Sequence, residues 1–191
     1  MDRLTHLLFA HAEQKASKTI RIGISETTAN TAIQMAVPLI VSALARKASQ
    51  PQEAQNLHQA IANDHDGSIF DNLMGYLGNP QSANGAGILG HVFGNQQPAI
   101  QNNLAQATGM DQSSAGCLLE TLAPLVMGSL GQTQQQNGLD ASGLSNFLNV
   151  QEQEAQTTAP DAMSMLSSML DQNKDGSAMD DLQSMAARFF K

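Results

Sequence analysis

The residues of this chain that are best suited to chemistry lie near its C-terminus, in Asp171-Gln-Asn-Lys-Asp-Gly-Ser177. This stretch matches the opening of an EF-hand calcium loop, which needs oxygen-bearing side chains at its first, third and fifth positions and glycine at its sixth. Asp171, Asn173 and Asp175 supply the candidate side-chain ligands, and the carbonyl of Ser177 supplies another. Apolar segments flank the stretch on both sides. The pattern predicts a weak Ca²⁺ site at residues 171–181.

The closing ligand of this loop is irregular. At the twelfth position, where an EF-hand carries a bidentate glutamate, the chain has Leu182, so Asp180 and Asp181 are the available replacements. A metal-free alternative stays open, in which Gly176 ends one helix and Ser177 with Asp180 caps the next. The loop is then a capped helix corner, and the chain is a scaffold or an oligomerising interaction module.

A second copy of the Asp-Gly-Ser-x-x-Asp core occurs at residues 66–71. The first loop position of this copy is Ala62, which has no side-chain oxygen to offer a cation. We therefore expect residues 64–71 to form a helix–turn–helix corner without a full ligand set. The calcium prediction applies to residues 171–181 alone.

Other residues with chemical potential form no catalytic group. Residues 85–90 have the letters of a dinucleotide-binding glycine motif, but no strand precedes them and no acidic residue follows at the required distance, so glycine-mediated helix packing explains them better. The five histidines lack metal-binding spacing, and His91 is interpreted as a packed side chain in an apolar turn. Cys117, the single cysteine, is interpreted as an inert core thiol. We expect no enzyme activity and no organic cofactor.

Apolar residues at helical spacing, in a chain rich in good helix formers, predict an all-α fold. Helices are predicted at residues 2–21, 25–47, 51–66, 68–77, 88–93, 95–108, 111–130 and 142–148. Residues 78–87, 131–138 and 151–160 are predicted as connectors. Two last helices, at 161–170 and 177–191, enclose the acidic loop and complete a C-terminal helix–loop–helix.

An internal repeat is visible when the chain is shifted by 86 residues, because Gly23 then falls on Gly109 and Pro38 falls on Pro124. A proline inside a helix costs roughly 3 kcal/mol unless the helix bends there. Two prolines at one register predict a shared kink and two related helical subdomains. The predicted divisions are 1–78 and 79–150 for these subdomains, 151–160 for a polar linker and 161–191 for the helix–loop–helix.

Charge and hydropathy disfavour two classes of function, nucleic-acid binding and membrane spanning. Nine basic and seventeen acidic residues give a net charge of -8, which disfavours nucleic-acid binding. The basic N-terminal helix is interpreted as a solvated face, with an anionic surface as the alternative partner of its four cations, Arg3, Lys15, Lys18 and Arg21. The longest apolar stretch, residues 33–44, is too short to span a bilayer, and no signal peptide is apparent. We predict a cytoplasmic protein without a transmembrane segment, with a protein partner or homo-oligomer possible but unidentified.

Several motifs resemble one known family. Residues 85–94, Gly-Ala-Gly-Ile-Leu-Gly-His-Val-Phe-Gly, are followed by the segments 104–109 and 122–126, and the tail combines 175–177 with 180–182 and the final Phe-Phe-Lys. Together they resemble the bacterial domain of unknown function 937 over most of the chain after about residue 20. The resemblance implies an all-helical bacterial protein without an assigned activity. Members often carry Asp-x-Asp-x-Asp-Gly in the tail, where this chain has Asn173 in place of the second acid.

Overall fold

The computed structural model describes residues 26–160 together with residues 162 and 164. The predicted basic N-terminal helix lies outside the described residues, and so does the C-terminal helix–loop–helix apart from residues 162 and 164, which are helical. Seven α-helices occur in the described part, and no strand does, which confirms the all-α prediction. They are α1 (Glu26–Ala48), α2 (Pro51–Asp64), α3 (Leu73–Gly78), α4 (Gly85–Phe93), α5 (Gln97–Thr108), α6 (Gln112–Asn137) and α7 (Ala141–Thr158). Short 3₁₀ turns at Ser68–Phe70, Pro80–Ala83 and Gly94–Gln96 connect some of them.

Helix α6 lies at the centre of the fold. From Ser114 to Gly131 every residue is buried except Cys117 and Glu120, which are half-buried. Helices α1, α2, α4 and α5 and two of the 3₁₀ turns pack against it. A helix that is covered on nearly all sides must be apolar around most of its circumference, and the sequence of α6 meets this requirement.

Helix α1 is the second long apolar helix, and its residues 36–45 are all buried. It packs against α6 and α7. The Oγ of Ser145 donates to the carbonyl of Ala48 at 2.7 Å, and the guanidinium of Arg46 pairs with the carboxylate of Glu152 at 3.3 Å. Since lower numbers on α1 meet higher numbers on α7, the two helices run antiparallel.

One hydrophobic core joins both predicted subdomains. It contains residues of α1 and α2 together with residues of α4 to α7, in a single cluster of buried side chains. The predicted boundary at residues 78 and 79 therefore separates two stretches of chain that share this core, and it stays a prediction.

Two helices have the length and apolar composition that could cross a membrane, namely Thr27–Ala48 and Gln112–Asn137. Their most apolar windows are 72% and 89% buried within the fold. Burial of this extent is typical of core helices in a globular domain.

Several predicted boundaries are corrected by the structure. The connector predicted at residues 131–138 is wrong, because α6 continues to Asn137 and ends at Gly138, whose φ is +59°. The linker predicted at residues 151–160 is helical as far as Thr158, because glutamine and glutamate are good helix formers and Gln151 and Ala155 continue the buried face of α7. The helix predicted at 68–77 is divided into a 3₁₀ turn and α3.

Both proline-containing helices are continuous, since Pro38 lies inside α1 and Pro124 inside α6. Proline lacks the amide that would donate to the carbonyl four residues earlier. This frees the carbonyls of Gln34 and Glu120 from the helical ladder. The shared bend and the internal duplication stay predictions.

Candidate functional site

The predicted calcium ligands Asp171, Asn173, Asp175, Ser177, Asp180 and Asp181 lie outside the described residues, and their arrangement stays a prediction. Among the residues that the structure does describe, no group of three or more His, Cys, Asp or Glu side chains could hold a metal ion. The described part of the chain offers two other places of interest. They are the corner at residues 64–71 and a groove along the first half of α6.

The corner at residues 64–71 shows what the Asp-Gly-Ser core does without a full ligand set. Helix α2 ends at Asp64, and an Oδ1 of Asp66 accepts a hydrogen bond from the amide of Ser68 at 2.9 Å. This bond holds the pKa of Asp66 below its usual range. Gly67 has φ of +94°, which glycine adopts without strain, and the 3₁₀ turn begins directly after it.

The corner packs tightly against α6. A Cβ on Gly67 would overlap the side chain of Gln132, and a Cβ on Gly131 would collide with the carbonyl oxygen of His65. The Nε2 of Gln135 also donates to the carbonyl of Asp66 at 3.1 Å. The prediction of a helix corner at this place is therefore confirmed.

The groove runs between the Pro80–Ala83 turn, α5 and the first half of α6. Its open part has a volume of about 630 Å³ and continues into a smaller cavity of about 90 Å³. Cys117, Glu120 and Gln81 line both parts. The open part is otherwise polar, with the side chains of Gln101, Gln112 and Ser113 among its walls.

Pro124 and Gly85 together shape the wall of the groove. The carbonyl of Glu120, which Pro124 leaves without its helical donor, lies where a Cβ on Gly85 would be. Glycine therefore allows the start of α4 to approach α6 at this point. Gly90 in the same motif has open space at the Cβ position. Helix packing thus explains Gly85, as predicted, but it does not explain Gly90.

Asp111 closes one end of the groove by capping α6. One carboxylate oxygen accepts from the amide of Ser114 at 2.9 Å and from the hydroxyl of Ser113, and the other accepts from the hydroxyl of Ser114 at 2.6 Å. These bonds hold the pKa of Asp111 well below its usual range. The carboxylate is therefore engaged with the first turn of its own helix.

Two interpretations of single residues are wrong. Cys117 is half-buried and lines the groove, because it lies on the one side of α6 that the neighbouring helices leave open. His91 is exposed, since it lies on the outer side of α4 while Leu89, Val92 and Phe93 face the core. The apolar neighbours of each residue misled the interpretation, because sequence neighbours in a helix point in different directions.

Tyr76 fastens α3 to α6 beside the smaller cavity. Its hydroxyl donates to the carbonyl of Thr121 at 2.6 Å, and the residue is buried. Burial raises the pKa of this phenol above its usual range, so it stays a neutral donor. The bond was not predictable from the sequence, because nothing in the residues around position 76 indicates its partner.

These features define a class of protein: an all-helical domain built around a buried, proline-containing helix, with a polar groove along that helix. The chain belongs to the family described as bacterial protein of unknown function, DUF937, whose family model matches residues 6–133. The match confirms the family resemblance seen in residues 85–126, and it includes residues before α1. The tail motifs at residues 175–191 lie outside the matched residues, so that part of the resemblance stays a prediction. No curated protein and no solved structure matches the chain.

Proposed function

We propose that this protein is a non-enzymatic helical binding protein whose C-terminal loop, residues 171–181, takes up Ca²⁺ with low affinity. The observation that carries the proposal is the spacing of Asp171, Asn173 and Asp175 before Gly176. Oxygen ligands at alternate positions and a glycine that permits the sharp turn are what a hard cation needs from a short loop. Asp180 or Asp181 closes the coordination shell, and no organic cofactor takes part.

The corner at residues 64–71 supports this assignment by contrast. There the residues at the first and third loop positions, Ala62 and Asp64, belong to the last turn of α2. Helical residues two apart do not face each other, so they cannot converge on one ion. The C-terminal copy has Asp171 at the first loop position, and a metal-free helix corner does not need an acidic residue there.

The affinity of such a loop follows from its ligand set. Without a bidentate glutamate at the twelfth position, the dissociation constant for Ca²⁺ is on the order of 10⁻⁵ to 10⁻³ M, the weak end of the EF-hand range. Mg²⁺ substitutes poorly because it needs a tighter octahedral shell. Ca²⁺ also offsets the mutual repulsion of the clustered carboxylates, and its stabilisation of the folded chain grows with the logarithm of the Ca²⁺ concentration once that concentration exceeds the dissociation constant.

Isothermal titration of the full chain with CaCl₂ tests the proposal. We expect saturable binding that Asp171→Asn weakens strongly, because this change removes the charge of the first ligand while it preserves the shape of the side chain. Asp64→Asn is the matched control, since it makes the same change in the corresponding corner and leaves binding intact. Absence of binding heat at millimolar Ca²⁺, with a melting temperature that a chelator does not change, would refute the proposal.

A scaffold or interaction module is the second candidate function, and the corner at residues 64–71 favours it. The Asp-Gly-Ser core there serves packing, with Gly67 against Gln132. If the C-terminal copy does the same, Gly176→Ala destabilises the chain while Asp171→Asn has no effect on its unfolding in either CaCl₂ or chelator.

We also infer that the two halves of the described fold arose by duplication. Arg46 of α1 pairs with Glu152 of α7. With the 86-residue shift, Arg46 corresponds to Gln132 of α6, and Glu152 corresponds to Asp66 in the corner after α2. Gln132 lies against Gly67, and Gln135 donates to the carbonyl of Asp66, so α6 and α2 meet at the corresponding register. An experimental structure in which residues 25–47 and 111–130 superpose, each bent near its proline, tests this inference.

A further inference from the structure

The groove along α6 contains a carboxylate that nothing in the described part of the chain engages. Asp66, Asp111 and Asp140 each accept hydrogen bonds from nearby backbone amides. Glu120 is half-buried and lines both the groove and the smaller cavity, but no hydrogen bond or ion pair holds its carboxylate among the described residues. A charged group that has lost part of its hydration is stabilised by a partner that restores hydrogen bonds and charge balance.

Two amide side chains line the same groove and are also unengaged among the residues that the structure describes. Gln81 comes from the Pro80–Ala83 turn and Gln101 from α5. The amide of Gln101 lies across α6 at Gly116, since its Nε2 is 3.1 Å from where a Cβ on Gly116 would be. Three polar side chains from three different elements therefore border one open space of about 630 Å³.

The backbone beside the smaller cavity offers a further acceptor at Glu120. The carbonyl of Cys117 accepts from the Oγ1 of Thr121 at 2.8 Å, and the carbonyl of Thr121 accepts from the hydroxyl of Tyr76 at 2.6 Å. The carbonyl of Glu120 has lost its helical donor to Pro124, and it lies against Gly85, which lines this cavity. Glu120 thus calls for a ligand that carries several N–H donors.

The lining of the groove disfavours other classes of ligand. A metal ion lacks a set of three His, Cys, Asp or Glu ligands among the described residues. An anion would meet carboxylates, since the described lining contains Asp111 and Glu120 but no Lys or Arg. A quaternary ammonium group has no N–H to donate and depends on aromatic rings, and none of the described lining residues is aromatic. Primary ammonium groups satisfy all three conditions.

The two carboxylates also set the length of the ligand. Asp111 and Glu120 both line the open part of the groove, and they are nine positions apart along α6. At the rise of an α-helix, this separation is about 13 Å along the helix axis. A linear chain with an ammonium group near each end spans a distance of this order, whereas a compact cation reaches one carboxylate only.

We propose that the groove along α6 binds a linear organic polyamine, with one primary ammonium group against Glu120 and another near Asp111. The smaller cavity, at about 90 Å³, exceeds the space that one water molecule needs, so it accommodates the terminal ammonium group. Opposite charges attract more strongly in a partly buried groove than on an open surface. The net charge of -8 also raises the local concentration of cations around the protein.

Isothermal titration of the full-length protein with spermidine at low ionic strength tests the proposal. We expect saturable binding that Glu120→Gln weakens about ten-fold, the effect of one hydrogen bond to a charged group. Asp71→Asn is the matched control, because it removes the same charge at an exposed position that lines neither part of the groove, and it leaves the affinity unchanged. Butylamine, with one ammonium group, binds more weakly than spermidine, and tetramethylammonium does not compete with it.

A second pair of variants locates the binding site without any change of charge. Cys117 lines both parts of the groove, so Cys117→Leu fills the space beside Glu120 and weakens spermidine binding about ten-fold or more. Cys117→Ser keeps the size of the side chain and retains binding. Circular dichroism and urea unfolding monitor the fold of each variant. Glu120→Gln preserves the size of its side chain, so it decides the question even where Cys117→Leu unfolds the protein.

Three outcomes would overturn the proposal. One is the absence of binding heat when the wild-type protein is titrated with spermidine. Another is an equal loss of affinity in Glu120→Gln and Asp71→Asn, which would reduce the effect to general attraction by an acidic protein. The third is unchanged binding in a folded Cys117→Leu variant, which would place spermidine elsewhere. Asp171→Asn leaves spermidine binding unchanged and Glu120→Gln leaves Ca²⁺ binding unchanged, so this proposal and the calcium proposal fail separately.

Discussion

The two long apolar helices, α1 and α6, contact their neighbours in different ways. Helix α1 meets its antiparallel partner through side chains, with Arg46 bound to Glu152 and Ser145 bound to the carbonyl of Ala48. Helix α6 also uses the side chains of Gln132 and Gln135 at the corner after α2, but at Gly131 its backbone lies directly against the carbonyl of His65. The residue that corresponds to Gly131 in α1 is Ala45, which is fully buried and carries a side chain.

The two helices also differ in the surroundings of the carbonyl that each proline leaves without a helical hydrogen bond. The carbonyl of Glu120 in α6 lies against the backbone of Gly85, whereas the corresponding residue of α1, Gln34, is exposed. A backbone-to-backbone contact has no flexible side chain that can move aside when an atom is added. We therefore expect substitutions along α6 to cost more than corresponding substitutions along α1.

The largest effect is expected for Gly131→Ala, because the new Cβ collides with the backbone carbonyl of His65. Overpacking of a closed interface costs about 3 kcal/mol. The corresponding change in α1, Ala45→Gly, costs about 1 kcal/mol through helix propensity and about 0.8 kcal/mol through the lost burial of its methyl group. Urea unfolding of both variants measures the difference, and equal losses would mean that the two interfaces are built alike.

A smaller but still large effect is expected for Gly85→Ala, which pushes α4 away from the carbonyl of Glu120. The loss of stability is about 2 kcal/mol, the middle of the range for overpacking. Gly90→Ala in the same helix is the matched control, because its Cβ position is open, and it stabilises the protein by up to about 1 kcal/mol. Both are read from chemical unfolding curves. If both changes stabilise, the close approach at Gly85 is not a constraint.

Removal of the Tyr76 hydroxyl is expected to cost about 1 kcal/mol in the free energy of unfolding, the value of one buried hydrogen bond. Tyr76→Phe keeps the ring and leaves only the bond to the carbonyl of Thr121 unmade. The register of α1 places Met35 where α6 has Thr121, and Met35→Leu, which removes no hydrogen bond, is expected to change stability less. A loss of stability as large in Met35→Leu would contradict the distinction between the two helices.

The ion pair between α1 and α7 is expected to contribute about 0.5 kcal/mol, because the side chains of Arg46 and Glu152 are 38% and 19% exposed. A double-mutant cycle with Arg46→Met and Glu152→Gln isolates this coupling energy. The more exposed pair of Lys47 and Glu53, at 3.8 Å, provides the comparison and should show a smaller value. High salt should reduce both couplings, and a coupling that salt does not change would rule out a direct ionic interaction.

The sequence predicts most of the helices but little of how they meet. The predicted start of this helix at residue 111 is close to the observed start of α6 at Gln112, and the structure shows Asp111 capping it. The end of α6 was missed because its glutamines lack apolar periodicity, although Gly138 in the left-handed region was a usable stop signal.

The groove could not be predicted, because it depends on which helices happen to leave Cys117 and Glu120 uncovered. The same is true of Gly131, whose role depends on a carbonyl from residue 65, distant in the sequence. Periodicity reports which face of a helix is buried, but it does not report the partner or the distance of approach. The spacing of the candidate ligands in residues 171–181 could be predicted, because it depends only on the order of residues within one short loop.

The smallest expected effect concerns His65, which makes the α6 interface sensitive to pH. Burial lowers the pKa of this imidazole below its ordinary value of 6.5, and the neighbouring carboxylate of Asp64 opposes the shift. As the pH falls below 6.5, the unfolded chain takes up a proton before the folded chain does, so stability decreases until the folded pKa is passed. The lowered carboxyl pKa values of Asp66 and Asp140 act in the same direction, but below pH 4, outside this range.

The corresponding residue at the α1 interface is Gln151, which does not titrate. We therefore expect His65→Gln to remove the decrease in unfolding free energy between about pH 7.5 and pH 5, where an unperturbed histidine titrates. His91→Gln, a change at an exposed position on α4, should leave the decrease unchanged. If the unfolding free energy of His65→Gln still decreases over this pH range, the imidazole of His65 is not its cause. The α6 interface would then be no more sensitive to pH than the α1 interface.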